Sequence, residues 1–455
     1  MSDAPVLPST DVHLTAALAR AQVDGRLPSV VAAVLRDGAV AWSAGRGRCV
    51  RADGDDRPDA DTQYRIGSIT KTFVAAQVMQ LRDEGLLDLG DAVGKHVPEG
   101  PYADRTLRSL LAHTSGMQAE PAGAWWERAP GRSYDELVKD NLESGAALPA
   151  GQEFHYSNLG FAVLGEVVAR LRRCAWEQAL GRSVLEPLGL HRTTYAAEPP
   201  AADGFAVDAL AGTLTPEPAH DSGAMAPAGQ LWSTVADLAR WMHALVDPPA
   251  DVLSADSLRQ MATVQGALPG DDLAGAYGLG LQMSGPGPRV LVGHGGSVPG
   301  FASAMFVDRE TGVGAVVLSN GGYGLDGVGL TRTLVDTVLA HEPAVPAEWQ
   351  PTASVPGQLR ELLGVWHWGH APFVMRTDGS ELRLTAAGGG KEFRFRRAGE
   401  DTYRGLSGYH LGETLRVVRR EDGTVSHLDI ATFVYTREPY DPRAPIPGGP
   451  PPVAG

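Results

Sequence analysis

The segment Arg65-Ile66-Gly67-Ser68-Ile69-Thr70-Lys71 places a hydroxyl and an amine three residues apart where a helical pattern begins, so both project from one face. That geometry suits an activated nucleophile. Serine attacks a carbonyl poorly unless a neighbour takes its proton, and a lysine does so only when burial or nearby cations lower its pKa. An ordinary helix start with a solvated lysine has the same spelling. Residue usage favours the chemical reading: of 39 basic residues only Lys71, Lys95, Lys139 and Lys391 are lysine, and arginine cannot act as a base at neutral pH. A role needing a removable proton keeps lysine where bare positive charge does not.

Two further constellations offer polar groups. In His155-Tyr156-Ser157-Asn158 a phenol and a carboxamide stand two apart on a loop ahead of a helical stretch from Gly160, supplying a proton carrier and a polar anchor. A capping or turn role for Asn158 fits that pattern too. Gly293-His294-Gly295-Gly296-Ser297 closes the strand-like Val290 to Val292, where glycines admit a ligand to the backbone and leave N–H groups facing developing negative charge. A β-bulge with a packed histidine is the other reading. Trp125 and Trp126, in a Pro/Gly-flanked loop, are packing residues or the wall of a substrate cleft.

These groups need a scaffold. Val12 to Val23 carries a helix-like pattern, and Val30 to Leu35 meets the turn Asp37-Gly38 before a second strand-like run through Trp42. From Gly67 to Leu245 the pattern is helical, with Phe73, Val74, Gln77, Val78 and Leu81 on one face. Val290 to Val292, Ala302 to Val307 and Gly314 to Leu318 read as antiparallel strands, and Leu330 to His341 as a closing helix. Strands from both ends of this stretch therefore share one sheet. Beyond a Pro/Ala-rich break at Glu342 to Pro356, short strands alternate with Asp378-Gly379, Gly388 to Gly390 and Asp422-Gly423, which predicts a small β-barrel, half-barrel or sandwich. The expected class is α/β (α+β): an antiparallel sheet flanked by N- and C-terminal helices, with an all-helical insertion at about 67–250. Expected domains are 1–345, 346–440 and a disordered Pro/Gly tail at 441–455.

Composition removes several function classes. In 455 residues, 39 Lys and Arg against 54 Asp and Glu leave a net charge of -15, a field that repels nucleic acid and anionic lipid. Cys49 and Cys174 form no metal-binding or redox spacing, and no His/Glu pattern matches a zinc site, so no metal or cofactor is expected. No apolar run reaches the ~18 residues of a membrane span, and the opening residues lack the basic and apolar regions of a secretory leader. A cytoplasmic protein is expected. Gly322 to Gly327 spells G-x-G-x-x-G but lacks the following parallel strand and acidic residue, so it is read as a glycine-rich loop.

Taken in order, the three constellations resemble the serine β-lactamase and penicillin-binding-protein superfamily, in its class C-like branch. Supporting stretches are Pro28-Ser29-Val30, Leu110 to Gly116 and Ala228 to Thr234, and the likeness spans residues 11 to 341. The run from Gly364 to Gly369 is similar to the lipocalin-like β-domain that some members append. The resemblance implies that Ser68 is the acylated nucleophile, Lys71 its proton acceptor and Tyr156 a proton relay. It implies that Asn158 bonds the Lys side or the substrate amide, that the N–H groups of Ser68 and Ser297 form an oxyanion hole, and that Gly295 and Gly296 border the substrate. His294 stands where many relatives carry a lysine, which weakens the pull on carboxylated ligands. An esterase or D-amino-acid peptidase is therefore expected, acting on a small-molecule or peptide ester, amide or thioester. The alternatives are a thioesterase or peptide cyclase with a carrier protein as partner, a β-lactamase, and a non-catalytic binding protein.

Overall fold

The computed structural model describes residues 5–49, 57–268, 275–285, 289–346, 348–351 and 354–440. The expected tail at 441–455 lies outside the described residues. The chain divides into two compact units, Met1–Ala344 and Val345–Gly455.

In the first unit the opening helix Pro8–Asp24 leads into strands Ser29–Arg36 and Ala39–Gly47. Asp37 and Gly38 both take positive φ, 53° and 82°, the conformation that lets a two-residue turn follow the strand twist. The first strand pairs along its length with Gly314–Ser319, so the two ends of the unit do meet in one sheet. That antiparallel sheet has eight strands, continuing through Phe301–Asp308, Leu291–Val298 and Gln282–Ser284 to two short edge strands, Gly275–Tyr277 and Gly266–Ala267. Its central strands read as unbroken apolar runs because both faces are covered. Val30, Ala32 and Val34 pack with the opening helix and the closing helix Gly327–His341, while Val31, Ala33 and Leu35 face the helical section. Side-chain direction alternates along a strand, so one run serves two cores.

The section expected to be all helical contains Thr70–Asp83, Asn158–Arg172 and Val235–Ala244, but also a hairpin of Gly204–Asp208 with Thr213–Glu217. Thr213–Glu217 is almost wholly exposed and holds Pro216, so no buried–exposed alternation marks it in the sequence. A second small pairing joins Tyr64–Arg65 to Trp232–Ser233 and carries the chain into the Ser68 turn.

One buried network ties sheet to helical section. Asn320 Oδ1 accepts from Ser29 N at 2.7 Å and Ser29 Oγ at 2.8 Å, its Nδ2 donates to the Asp203 carbonyl at 2.9 Å, and Tyr64 Oη lies 2.8 Å from Ser29 Oγ.

The second unit is an eight-stranded meander from Gly364–Trp368 to Phe433–Tyr435, each strand antiparallel to the next. Reciprocal backbone bonds between His367 and Thr436, at 2.7 and 2.9 Å, join its last residues to its first strand. Trp366, Met375, Leu382, Leu384, Phe395, Leu415, Leu428 and Ile430 fill its interior.

Asn320→Ala strands two buried donors at Ser29 while leaving the backbone intact. Thermal or urea unfolding is expected to show a loss of about 2–4 kcal/mol. A change below about 0.5 kcal/mol contradicts a structural role for this network.

Candidate active site

Gly67–Ile69 forms a single tight turn that runs directly into the helix Thr70–Asp83, whose residues from Thr70 to Leu81 are all buried. Lys71 thus follows Ser68 by one turn, and its Nζ lies 2.9 Å from Ser68 Oγ. The amine also donates to the Ala228 carbonyl at 2.5 Å and sits 5.0 Å from the Tyr156 ring centre and 5.6 Å from that of Phe161. Complete burial lowers its pKa from 10.5 to about 7, against the opposing pull of the Glu120 and Glu127 carboxylates. A large share of Lys71 is therefore free base at neutral pH.

Tyr156 hydrogen-bonds Ser68, yet burial pushes its pKa far above the usual phenol value, so it enters as a protonated group. Its ring lies 4.1 Å from that of His113. His113 Nδ1 accepts from Ser157 N at 3.0 Å, and the His113 carbonyl accepts from His155 N at 2.7 Å. Ser157 then caps the helix Asn158–Arg172, accepting from Gly160 N at 3.0 Å. The stretch Leu110 to Gly116 thus positions the phenol, a role its sequence did not disclose.

Asn158 begins the helix Asn158–Arg172. Its Nδ2 donates to Glu120 Oε1 at 2.7 Å, and its buried Oδ1 has no partner among the described residues. Its amide nitrogen thus meets a carboxylate on the Gln118 to Ser133 loop.

The strand Leu291–Val298 pairs with Phe301–Asp308 along its whole length but with Gln282–Ser284 only from Leu291 to Gly293, which leaves its later residues on an open edge. Gly295 N donates across that edge to Gln282 Oε1 at 2.9 Å. Ser297, two residues on, points its N–H the same way, toward the Ser68 turn. The approach is close: a Cβ on Gly67, whose φ is +50°, would stand 2.8 Å from Ser297 N, and one on Gly296 would stand 2.1 Å from the Ile66 carbonyl. Only glycine fits either place.

His294 turns inward. Its Nδ1–H meets the Gly295 carbonyl, so its Nε2 accepts from Tyr277 Oη at 2.9 Å. Burial first, then the charge of Lys71, lower its pKa to about 3. The ring is neutral and both nitrogens are engaged within the protein, so it presents no charge to a ligand.

A cavity of about 310 Å³ borders Ser297 and is lined by Trp125, Glu127, Phe205 and Tyr323 among others. The two tryptophans part company here. Trp125 Nε1 donates to Glu127 Oε2 at 2.9 Å at the cleft, whereas Trp126 Nε1 donates to Glu120 Oε2 at 2.7 Å and its ring borders a separate cavity with Leu137 and Met225. Each indole therefore fixes one carboxylate. Burial raises the Glu127 pKa, with Trp125, Arg65 and Lys71 opposing. Glu120, Glu127, His113, Tyr277 and the Ala228 carbonyl were not singled out as site groups in the sequence. The available signal was a pair of acids interleaved with a pair of tryptophans in one loop. Among the described residues no group of His, Cys, Asp and Glu is arranged to hold a metal, and no helix is long and apolar enough to cross a membrane.

Comparison with known proteins places the chain in a family. A family model described as Beta-lactamase matches residues 14–339, and one described as a domain of unknown function (DUF7586) matches residues 355–437. Beta-lactamase-like protein 2 of Dictyostelium discoideum is 27% identical over 57% of this chain and 50% of its own length, so the chain spans about half of that relative. Among solved structures, a D-stereospecific amidohydrolase from Streptomyces sp. is 26% identical with a TM-score of 0.60, covering 74% of this chain and 99% of the other. An octameric penicillin-binding protein homologue from Pyrococcus abyssi shares the fold, with a TM-score of 0.65 at 23% identity over 93% and 99% of the two chains. The chain belongs to the Beta-lactamase family.

The contact between Gly67 and Ser297 can be tested directly. Gly67→Ala is expected to slow Ser68 labelling by a fluorophosphonate about 100-fold while the far-ultraviolet circular dichroism is unchanged. Unaltered labelling means that the two backbones need not approach for reaction.

Proposed function

We propose that this member of the Beta-lactamase family is a serine acyl hydrolase that cleaves an ester or amide through an acyl-enzyme on Ser68. The reading is carried by the buried Lys71 amine, 2.9 Å from Ser68 Oγ and balanced near neutrality. Lys71 takes the hydroxyl proton as Oγ attacks the substrate carbonyl. The carbonyl oxygen, now negative, is met by the N–H groups of Ser68 and Ser297. Collapse of the tetrahedral adduct expels the amine or alcohol, which receives a proton passed from Lys71 through the Tyr156 hydroxyl. Water then gives up a proton along the same route in reverse to Lys71 and attacks the ester carbon, and the adduct collapses to the free acid as Lys71 returns that proton to the departing Ser68 Oγ. In this reading residues 1–345 form the hydrolase domain and 346–440 an appended β-domain.

Charge around the cleft narrows the substrate class. Glu127 lies in the wall, Glu120 stands near Lys71 and Tyr156, and His294 is neutral and engaged. Arg128, also in the wall, is held by Glu217 through bonds of 2.6 and 2.8 Å. A ligand carboxylate meets no uncommitted cation in this wall, whereas an ammonium meets a carboxylate. Amides and esters of amino acids with a free amino group are therefore the proposed substrates. The Streptomyces relative, named as a D-stereospecific amidohydrolase, makes the D-series the first to offer.

Three outcomes are expected. Fluorophosphonate treatment adds its mass to the Ser68 peptide, and Lys71→Ala slows that step by about 10²–10⁴ with no rescue by Lys71→Arg. Because only the unprotonated amine works, acylation rises with pH through about 7 and then levels. Glu127→Gln removes a charge that favours the lysine cation, so that limb moves to lower pH. A D-amino-acid p-nitroanilide should exceed its N-acetyl derivative in kcat/KM by about tenfold, and Glu127→Gln should narrow the gap. Turnover with Ser68 unmodified removes the acyl-enzyme reading; equal rates for the two substrates remove the amine preference alone.

A further inference from the structure

The second unit contains a larger cavity than the one beside Ser297. About 550 Å³ opens among Trp368, Phe373, Phe393, Tyr409, Phe433 and Tyr435 at one end of the eight-stranded barrel. A barrel of this strand number can be plugged by its own side chains or can hold one small ligand. Here the apolar filling occupies the interior, but this end remains open.

The wall is built of rings. Tyr409 stacks on Phe433 with centres 5.7 Å apart and 26° between planes, and Trp368 meets Phe433 at 5.5 Å. Phe373 and Tyr435 meet edge to face at 5.4 Å. Trp368 and Tyr409 nevertheless stay 44% and 75% exposed, an unusual position for large aromatic groups that already have neighbours to pack on. His410 in the same wall is 1% exposed, and its Nδ1 has no hydrogen-bond partner among the described residues. A buried polar atom left unpaired is a cost that a ligand's polar group can relieve.

Charge at the mouth has one sign to spare. Lys391 and Glu392 both border the cavity, but the Glu392 carboxylate is turned toward Thr385 Oγ1 at 3.5 Å and Arg383 at 4.0 Å. Lys391 makes no ion pair among the described residues. The approach is not screened by neighbours either, since a Cβ on Gly388, Gly389 or Gly390 would meet nothing within 4 Å.

From this set we infer that the open barrel end binds a small aromatic acid, its rings between Trp368, Tyr409 and Phe433 and its anionic group at Lys391. The volume lies in the range of pockets that enclose one small molecule. This site stands independently of the acyl hydrolase reading, because none of its residues belongs to that machinery.

The test is a fluorescence titration of the full chain with 8-anilinonaphthalene-1-sulfonate, beside the uncharged N-phenyl-1-naphthylamine. Saturable one-to-one binding is expected, and it should persist after Ser68 is blocked with a fluorophosphonate. Tyr409→Ala should weaken both probes about fivefold, whereas Lys391→Ala should weaken only the sulfonate, by about threefold or more. Both side chains are exposed, so the unfolding midpoint should hold. Absence of saturable binding, indifference to Tyr409→Ala, or loss on blocking Ser68 overturns the site. Equal responses of the two probes to Lys391→Ala overturn the acid.

Discussion

The removal of one amine from water is the constraint on which the candidate site depends. Lys71 is buried with every residue around it on its helix, and its Nζ is met by the Ser68 hydroxyl and the Ala228 carbonyl. An ammonium in that place loses its hydration, and the resulting fall of its pKa to about 7 leaves part of the amine without its proton near neutrality. The carboxylates of Glu120 and Glu127 limit the fall. A fully apolar surround would drive the lysine neutral at all ordinary pH, and a closer carboxylate would keep it charged. The chemistry proposed for Ser68 needs the intermediate condition.

Much of the first unit can be understood as the means of closing that space. The pairing of Tyr64–Arg65 with Trp232–Ser233 delivers the Ser68 turn, and Arg65 is itself held by Ser222 and Gln230 at 2.9 and 2.8 Å. The same segment brings the Ala228 carbonyl to Lys71. On the other side, Gly67 and Gly296 let the Ser68 turn and the Leu291–Val298 strand approach more closely than any side chain permits. His294 is buried against Tyr277, with its ring 6.2 Å from that of Tyr156. The cation preference proposed for the cleft rests on this neutral histidine and on the nearby carboxylates.

Legibility in the sequence followed locality. The i to i+3 relation of Ser68 and Lys71 is a property of one helical turn, so spacing alone placed them on one face. The Asp37-Gly38 turn and the unbroken apolar strands were equally plain, since their signals lie within a few residues. The hairpin Gly204–Asp208 with Thr213–Glu217 was missed because its second strand is almost wholly exposed and its first buries only Gly204 and Phe205, so neither carries the alternation that burial writes. Trp125 and Trp126 show the same limit: adjacent in the chain, they serve different cavities, and only the folded loop separates them.

The sequence by itself determined the hydroxyl–amine pair of Ser68 and Lys71, the order of the motifs, the two-ended sheet and the trailing β-unit, all from short-range spacing and hydrophobic pattern. The tertiary structure decided that Lys71 is dry, that Asn158 is directed at Glu120, that His294 is sequestered, and that two indoles each hold a carboxylate beside the cleft. The division has a physical cause. Backbone geometry is set by neighbours in the chain, but desolvation and charge are set by neighbours in space, and for Lys71 these include the Ala228 carbonyl, 157 residues away.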